Sequence, residues 1–196
     1  MFAQILDVIE QDVVPLTRSG VARGNKLFGA AILRRSDLSL VVAETNNEIE
    51  NPLWHGEIHA IKRFHELSRA DRPAPADCVF IATHEPCSLC LSGLAWAGFT
   101  ECWYLFSHQD SADAFAIPHD IAILRGVYAV PDPDREAPAP GRDLYNRSNP
   151  FFSTHDLAAA VAGTELDAQV SRLRATYDDL SAAYQRTKGG HEIPHA

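Results

Sequence analysis

The residues best equipped for chemistry fall in two short runs, Trp54-His55-Gly56-Glu57-Ile58-His59 and Glu85-Pro86-Cys87-Ser88-Leu89-Cys90. They spell H-x-E and, further along, P-C-x-x-C. Zn²⁺ prefers imidazole nitrogen and thiolate sulfur, and a catalytic zinc takes three protein ligands and keeps one position open. His55, Cys87 and Cys90 are three such donors. Glu57 is left over as a general acid or base. If Pro86 occupies the first turn of a helix, where its missing N–H costs nothing, Cys87 and Cys90 share one face of that helix. A helix N-terminus and a metal both favour thiolate. Two thiolates and one neutral imidazole balance the metal charge, and the fourth ligand is then a water whose pKa zinc lowers toward about 7. Glu57, at the opening turn of another helix, is positioned to move that water's proton to a substrate.

Two other readings of the same residues stay open. His55 and His59 lie one helical turn apart, so His59 could complete a closed His₂Cys₂ site that idles Glu57. A disulfide between Cys87 and Cys90 needs a thioredoxin-like setting, which nothing else in the chain suggests.

Length and composition set the bounds. A chain of 196 residues with 46% hydrophobic residues is one domain able to bury a real core. It shows neither an apolar run of membrane-spanning length nor a signal-peptide pattern, so the expectation is a soluble, cytoplasmic protein with no membrane partner. Four cysteines do not make a disulfide scaffold. Cys78 and Cys102 sit in apolar, strand-like runs and read as core. The net charge of −9 argues against a nucleic-acid partner, because such affinity comes from neutralising phosphates. Arg18, Arg23 and Lys26, or Arg34 and Arg35, are candidate basic patches and read as solvated surface.

The elements that must position the two motifs follow from periodicity. Phe2, Ile5, Leu6, Ile9 and Val13 recur at helical spacing, and Pro15 is expected to end or bend that helix. Runs 28–33 and 38–43 read as a hairpin. His55 opens a helix reaching about Leu67. Run 78–83 is nearly all apolar, as in a central strand, and leads directly to the cysteine helix, which runs to about Ala97 and stops at Gly98. Strands are expected at 102–106 and 127–130, with a short helix near 120–124 between them. The order predicts an α/β fold with helices on both faces of one mixed, five-stranded sheet. Both motifs open helices at one end of that sheet, where α/β proteins bind ligands. Residues 131–143 read as a Pro-rich linker between a domain at 1–130 and a C-terminal helical extension at 144–196. In the extension Leu166, Val170, Leu173, Tyr177, Leu180 and Tyr184 form a seam that must pack on the body or on a second copy. Residues 189–196 read as a frayed end.

H-x-E with P-C-x-x-C is a signature of zinc deaminases that act on nucleobases. Together with Phe28-Gly29-Ala30, Asn51-Pro52, and Gly93, Trp96 and Ala97, it makes residues 2–130 resemble the cytidine/deoxycytidylate deaminase-like superfamily, nearest its guanine deaminase and tRNA adenosine deaminase branch. The resemblance implies a three-layer α/β/α fold and one Zn²⁺ on His55, Cys87 and Cys90. It implies Glu57 as proton shuttle, hydrolytic loss of ammonia from an amino-substituted heterocycle, and a homodimer. It implies a substrate contact from Asn46 or Asn47, and it aligns Asp113 and Phe115, with His119 and Asp120 as further candidates, to residues that hold or protonate the base. Some positions depart from the family pattern. Gly56 stands where Ala is common and is expected to free space near the metal, and Leu53 and Trp54 replace small or polar residues. Trp54 either stacks on a flat ring or caps the core. Phe28 either lines the pocket or belongs to the core.

Three functions remain in view. The leading one is a zinc-dependent aminohydrolase for a small aminated heterocycle, such as a guanine-like purine, a related base or a nucleoside. A tRNA or other nucleic-acid adenosine deaminase requires a base splayed out of its stack and a basic pocket mouth. A non-catalytic, zinc-stabilised binding module requires four protein ligands. The acidity of the chain and the bulky apolar residues beside His55 favour the first.

Overall fold

The computed structural model describes residues 1–128 and 145–188. Its helices are α1 (Phe2–Val8), α2 (Val14–Ala22), α3 (Gly56–Glu66), α4 (Ser88–Ala97), α5 (His108–Asp113), α6 (His119–Tyr128), α7 (Leu157–Val161) and α8 (Asp167–Thr187). The strands are β1 (Gly29–Arg34), β2 (Leu40–Thr45), β3 (Cys78–His84), β4 (Glu101–Phe106) and β5 (Ser153–Asp156), in the sheet order β2-β1-β3-β4-β5. β1 is antiparallel to β2 and β3, whereas β3, β4 and β5 run parallel, so the sheet is mixed.

Side chains alternate across a strand, and each strand therefore feeds two layers. Ala31, Leu33, Ile81, Trp103 and Leu105 join a core with α1, α2, α7 and α8. Ala30, Ile32, Phe80, Cys102 and Tyr104 meet Ala60 and Phe64 of α3 and Leu94 of α4. This is the three-layer α/β/α arrangement that the resemblance implied.

Three expectations are corrected. The first helix does not stop at Pro15. A π-helical turn, Ile9–Val13, joins α1 to α2 just ahead of Pro15, so the chain stays helical through the proline and takes up the distortion in that turn. Val127 and Tyr128 end α6 rather than starting a strand; 129–130 and the linker 131–143 lie outside the described residues. The fifth strand is Ser153–Asp156, whose polar sequence carries no strand pattern of its own. It takes its conformation from β4, in register from Glu101↔Ser153 to Tyr104↔Asp156, and His155 stacks on Trp103 at 4.6 Å. The third correction concerns Gly56. A Cβ there would stand 2.7 Å from Phe28 O and 3.0 Å from Gly29 Cα. The glycine lets α3 rest its first turn on the start of β1, which uses up the space instead of freeing it near the metal.

The C-terminal seam packs on the body. Leu173, Tyr177, Leu180 and Tyr184 are buried along α8, the two leucines contributing roughly 1.5–3 kcal/mol each. Gln169 Nε2 donates to Asp7 and Glu10, both at 2.9 Å, and Arg174 pairs with Asp110 at 2.8 Å. Residues 189–196 lie outside the described residues. Among those described, no helix is long and apolar enough to cross a membrane.

Both motifs sit at helix starts. His55 is the N-cap of α3 and Cys87 that of α4, so Pro86 lies just ahead of the helix rather than in its first turn. α4 ends at Gly98, whose φ of +84° is the left-handed conformation that terminates helices.

Candidate active site

The two helix starts bring His55, Cys87 and Cys90 together, with donor atoms all within 4.8 Å of one another. His55 Nδ1 lies 3.4 Å from Cys87 Sγ and 3.7 Å from Cys90 Sγ, and the sulfurs are 3.6 Å apart. Cys90, a turn inside α4, is fully buried. Glu57, in the first turn of α3, is also buried and brings Oε2 to 3.3 Å from Cys90 Sγ. All four cysteines are free thiols. His59, the alternative fourth ligand, faces elsewhere: its Nδ1 is 2.9 Å from Thr45 O and 3.4 Å from Glu44 Oε2.

Burial, and then the nearby Cys87 sulfur, push the Glu57 carboxyl up to about 7. Burial disfavours a charged His55 ring, but the Cys87 sulfur and the carboxylates of Glu48 and Glu57 outweigh it and raise the ring's pKa to about 9. A hydrogen bond with Cys90, aided by His55, holds the Cys87 thiol well below its ordinary value, while burial pushes the Cys90 thiol up. The surroundings thus favour positive charge where the three donors converge. Soft sulfur and imidazole donors within reach of one ion, in a negative setting, fit Zn²⁺.

Two cavities adjoin the cluster. The inner one, about 10 Å³, is walled by Phe28, His55, Glu57, His84, Glu85 and Cys87, and is on the order of one water in size. The outer one, about 280 Å³, shares Phe28, His55 and Cys87 with it and adds apolar Leu53, Leu89, Ile117 and Ile123. Its polar walls include Lys26, Glu48, Ser88 and His119. Glu85 anchors the rim: it accepts from His108 N and Asn146 Nδ2, both at 3.0 Å, and from Arg147. The residue ahead of Pro86 is thereby tied to the segment that precedes β5.

The expected substrate-contacting residues divide. Phe28 walls both cavities. Asn46 is fully buried, its Oδ1 accepts from Glu48 N at 3.2 Å, and its Nδ2 has no hydrogen-bond partner among the described residues. Asn47 gives its amide to Glu50 at 2.7 Å. Trp54 walls neither cavity. It stacks on His59 at 5.6 Å, under the Lys62 ammonium. Asp113 is exposed on α5 and accepts from Gln109, which agrees with a solvated carboxylate rather than a second acid at the site. Phe115 is fully buried behind the inner cavity, 5.0 Å from the His84 ring. Lys26 was expected at a solvated surface; instead it is buried against Glu48, at 3.0 Å. Neither Lys26 nor Glu48 stands in a local pattern that announces the other, and the Ile117 and Ile123 walls depend on how α5 and α6 fold back.

Residues 9–106 match the family model of the cytidine and deoxycytidylate deaminase zinc-binding region. The chain belongs to this family. A guanine deaminase of Bacillus subtilis (strain 168) is 30% identical to this deaminase-family chain over 90 residues, which is 44% of this chain and 54% of that protein. The match thus spans about half the length of that relative. The X-ray structure of guanine deaminase from Bacillus subtilis superposes with a TM-score of 0.52 at 26% identity, covering 70% of this chain and 85% of that one. A guanine deaminase from Nitrosomonas europaea shares the fold, with a TM-score of 0.51 at 18% identity over 87% of this chain and 81% of that one.

In this family member one wall of the inner cavity is the His84 ring. His84 is boxed by Phe28, Phe106, Phe115 and Tyr177, with ring centroids 4.7–5.3 Å away, and Thr83 Oγ1 meets its Nδ1 at 2.9 Å. Burial holds its pKa down to about 3, against an ordinary 6.5. The unfolded chain therefore takes up this proton first. Stability is complete above the ordinary value and declines as pH falls from there toward the folded value. NMR should find the His84 ring neutral and untitrated across about pH 5 to 8, where ordinary histidines ionise. A midpoint near 6.5 contradicts the burial assigned here.

Proposed function

We propose that this chain is a zinc-dependent hydrolytic deaminase that releases ammonia from a small aminated heterocycle, a guanine-like purine or a related base or nucleoside. The observation that carries the reading is the Glu57 carboxyl. It lies 3.3 Å from Cys90 Sγ and walls the same inner cavity as His55 and Cys87. In this reading His55 Nδ1 and the sulfurs of Cys87 and Cys90 hold the zinc. When bound, zinc supplies Lewis-acid activation for hydrolysis. Glu57, whose pKa of about 7 suits proton traffic near neutrality, takes a proton from the attacking water and passes it to a ring nitrogen. It then takes the remaining proton from the oxygen added to the ring carbon and delivers it to the departing amino group. The ring carbon exchanges its amino group for oxygen, and ammonia leaves.

The outer cavity supports a free base over a polynucleotide. It is largely apolar and at the small end of ligand pockets, and the chain's net charge is −9. Phe28 offers a flat face for a ring, whereas Asn46, fully buried, walls neither cavity. His119 lines the pocket in place of Asp113. The likeness to a guanine deaminase supports a purine substrate.

The reading includes a homodimer. Trp96 on α4 is 93% exposed, and Leu89 lies on the same helical stripe, also exposed. An apolar face beside the pocket mouth is what a second copy would cover.

Glu57→Gln should keep its zinc and its melting temperature but lose at least about 10²-fold in ammonia release from guanine. Equal rates in variant and parent contradict the shuttle role. For the dimer, light scattering should give twice the chain mass for the parent and one chain mass for Trp96→Glu. A monomeric parent, or an unaltered dimer in the variant, contradicts this interface.

A further inference from the structure

We propose that Glu48 is a positioning residue for the metal site: its carboxylate holds the His55 ring with Nδ1 toward the two sulfurs, and Lys26 holds Glu48. This rests on His55, Cys87 and Cys90 being zinc ligands. An imidazole offers a metal only the nitrogen that carries no proton, and the partner of its other nitrogen selects which one that is. His55 Nδ1 faces Cys87 and Cys90, and its Nε2 lies 3.5 Å from Glu48 Oε1. A carboxylate can only accept, so it favours the ring form with the proton on Nε2 and the Nδ1 lone pair free.

The arrangement around Glu48 is built for this contact. Glu48 is 3% exposed and Lys26 6%, and Lys26 Nζ donates to Glu48 Oε1 at 3.0 Å. Burying a carboxylate is tolerable only with a counter-charge, and Lys26 supplies it. Glu48 Oε2 has no hydrogen-bond partner among the described residues, and Lys26 and His55 meet the same oxygen, Oε1. The backbone fixes the loop as well. Glu48 N donates to Asn46 Oδ1 at 3.2 Å, Ile49 N to Asn25 Oδ1 at 3.0 Å, and Asn47 N to Trp54 O at 2.8 Å. Asn25 and Lys26 thus grip the same loop, one through its backbone and the other through Glu48. His55, an N-cap whose side chain makes no capping bond, depends on these neighbours for its ring orientation.

The test is zinc affinity, measured by competition with a chromophoric chelator on the purified full chain. Glu48→Gln keeps the shape and removes the charge, and should weaken zinc binding by about 10–100-fold. Lys26→Met should weaken it less. The double variant should bind no more weakly than Glu48→Gln alone, because Lys26 acts through Glu48. In the zinc-loaded parent, ¹⁵N NMR should find the His55 proton on Nε2. Parental affinity in Glu48→Gln, or the proton on Nδ1, overturns the proposal. Unchanged zinc affinity with a raised KM would make Glu48 a substrate contact instead. A parent that binds no zinc retires the ligand reading itself, which separates that failure from this one. If Glu48→Gln does not fold, Lys26→Met decides in its place: weakened zinc binding supports the proposal, and parental affinity overturns it.

Discussion

The first turn of α3 rests directly on the backbone of Phe28 and Gly29, a contact so close that position 56 has no room for a Cβ. That approach puts His55 at the lip of the sheet. On the same edge β3 ends and releases Glu85, Pro86 and Cys87 into α4. Neither helix alone can gather three soft donors around one point; the donors converge because two N-termini meet. Phe28 belongs to both halves of the arrangement, since its carbonyl abuts Gly56 and its ring walls both cavities.

Once the donors converge, burial governs the chemistry. Glu57, Cys87 and Cys90 are buried and His55 is half-buried beside them, so burial and the neighbouring groups together set each ionisation. The outcome is a carboxyl that titrates near neutrality beside a cluster that favours positive charge. Around it, polar groups are held in pairs: Glu48 by Lys26, and Glu85 by Asn146 and Arg147. Asn146 and Arg147 come from the described segment 145–188, as does Tyr177, which backs the His84 ring. Residues 145–188 therefore contribute to the floor and rim of the site as well as to the sheet.

The candidate metal site was legible because coordination chemistry restricts residue type and spacing so severely. The hairpin, the central strand and the two motif helices were legible because a buried strand is apolar throughout and helix ends carry their own punctuation, as at Gly98. What was hidden depended on distant partners. Ser153–Asp156 is polar and becomes a strand only because β4 offers an edge. Lys26 looks like a surface cation until Glu48 folds over it. Trp54 looks like a pocket residue, but His59, one turn along α3, takes its face. Asp113 falls on the outer side of α5, a phase that spacing from the motif does not encode.

The account turns on a zinc held by one imidazole and two thiolates, with its remaining position free for solvent. X-ray absorption on the zinc-loaded protein measures that coordination directly. It should resolve two sulfurs at about 2.3 Å and two nitrogen or oxygen neighbours at about 2.0–2.1 Å, one an imidazole and one an exchangeable light atom. A second imidazole filling the fourth position, or a sulfur count other than two, would contradict it.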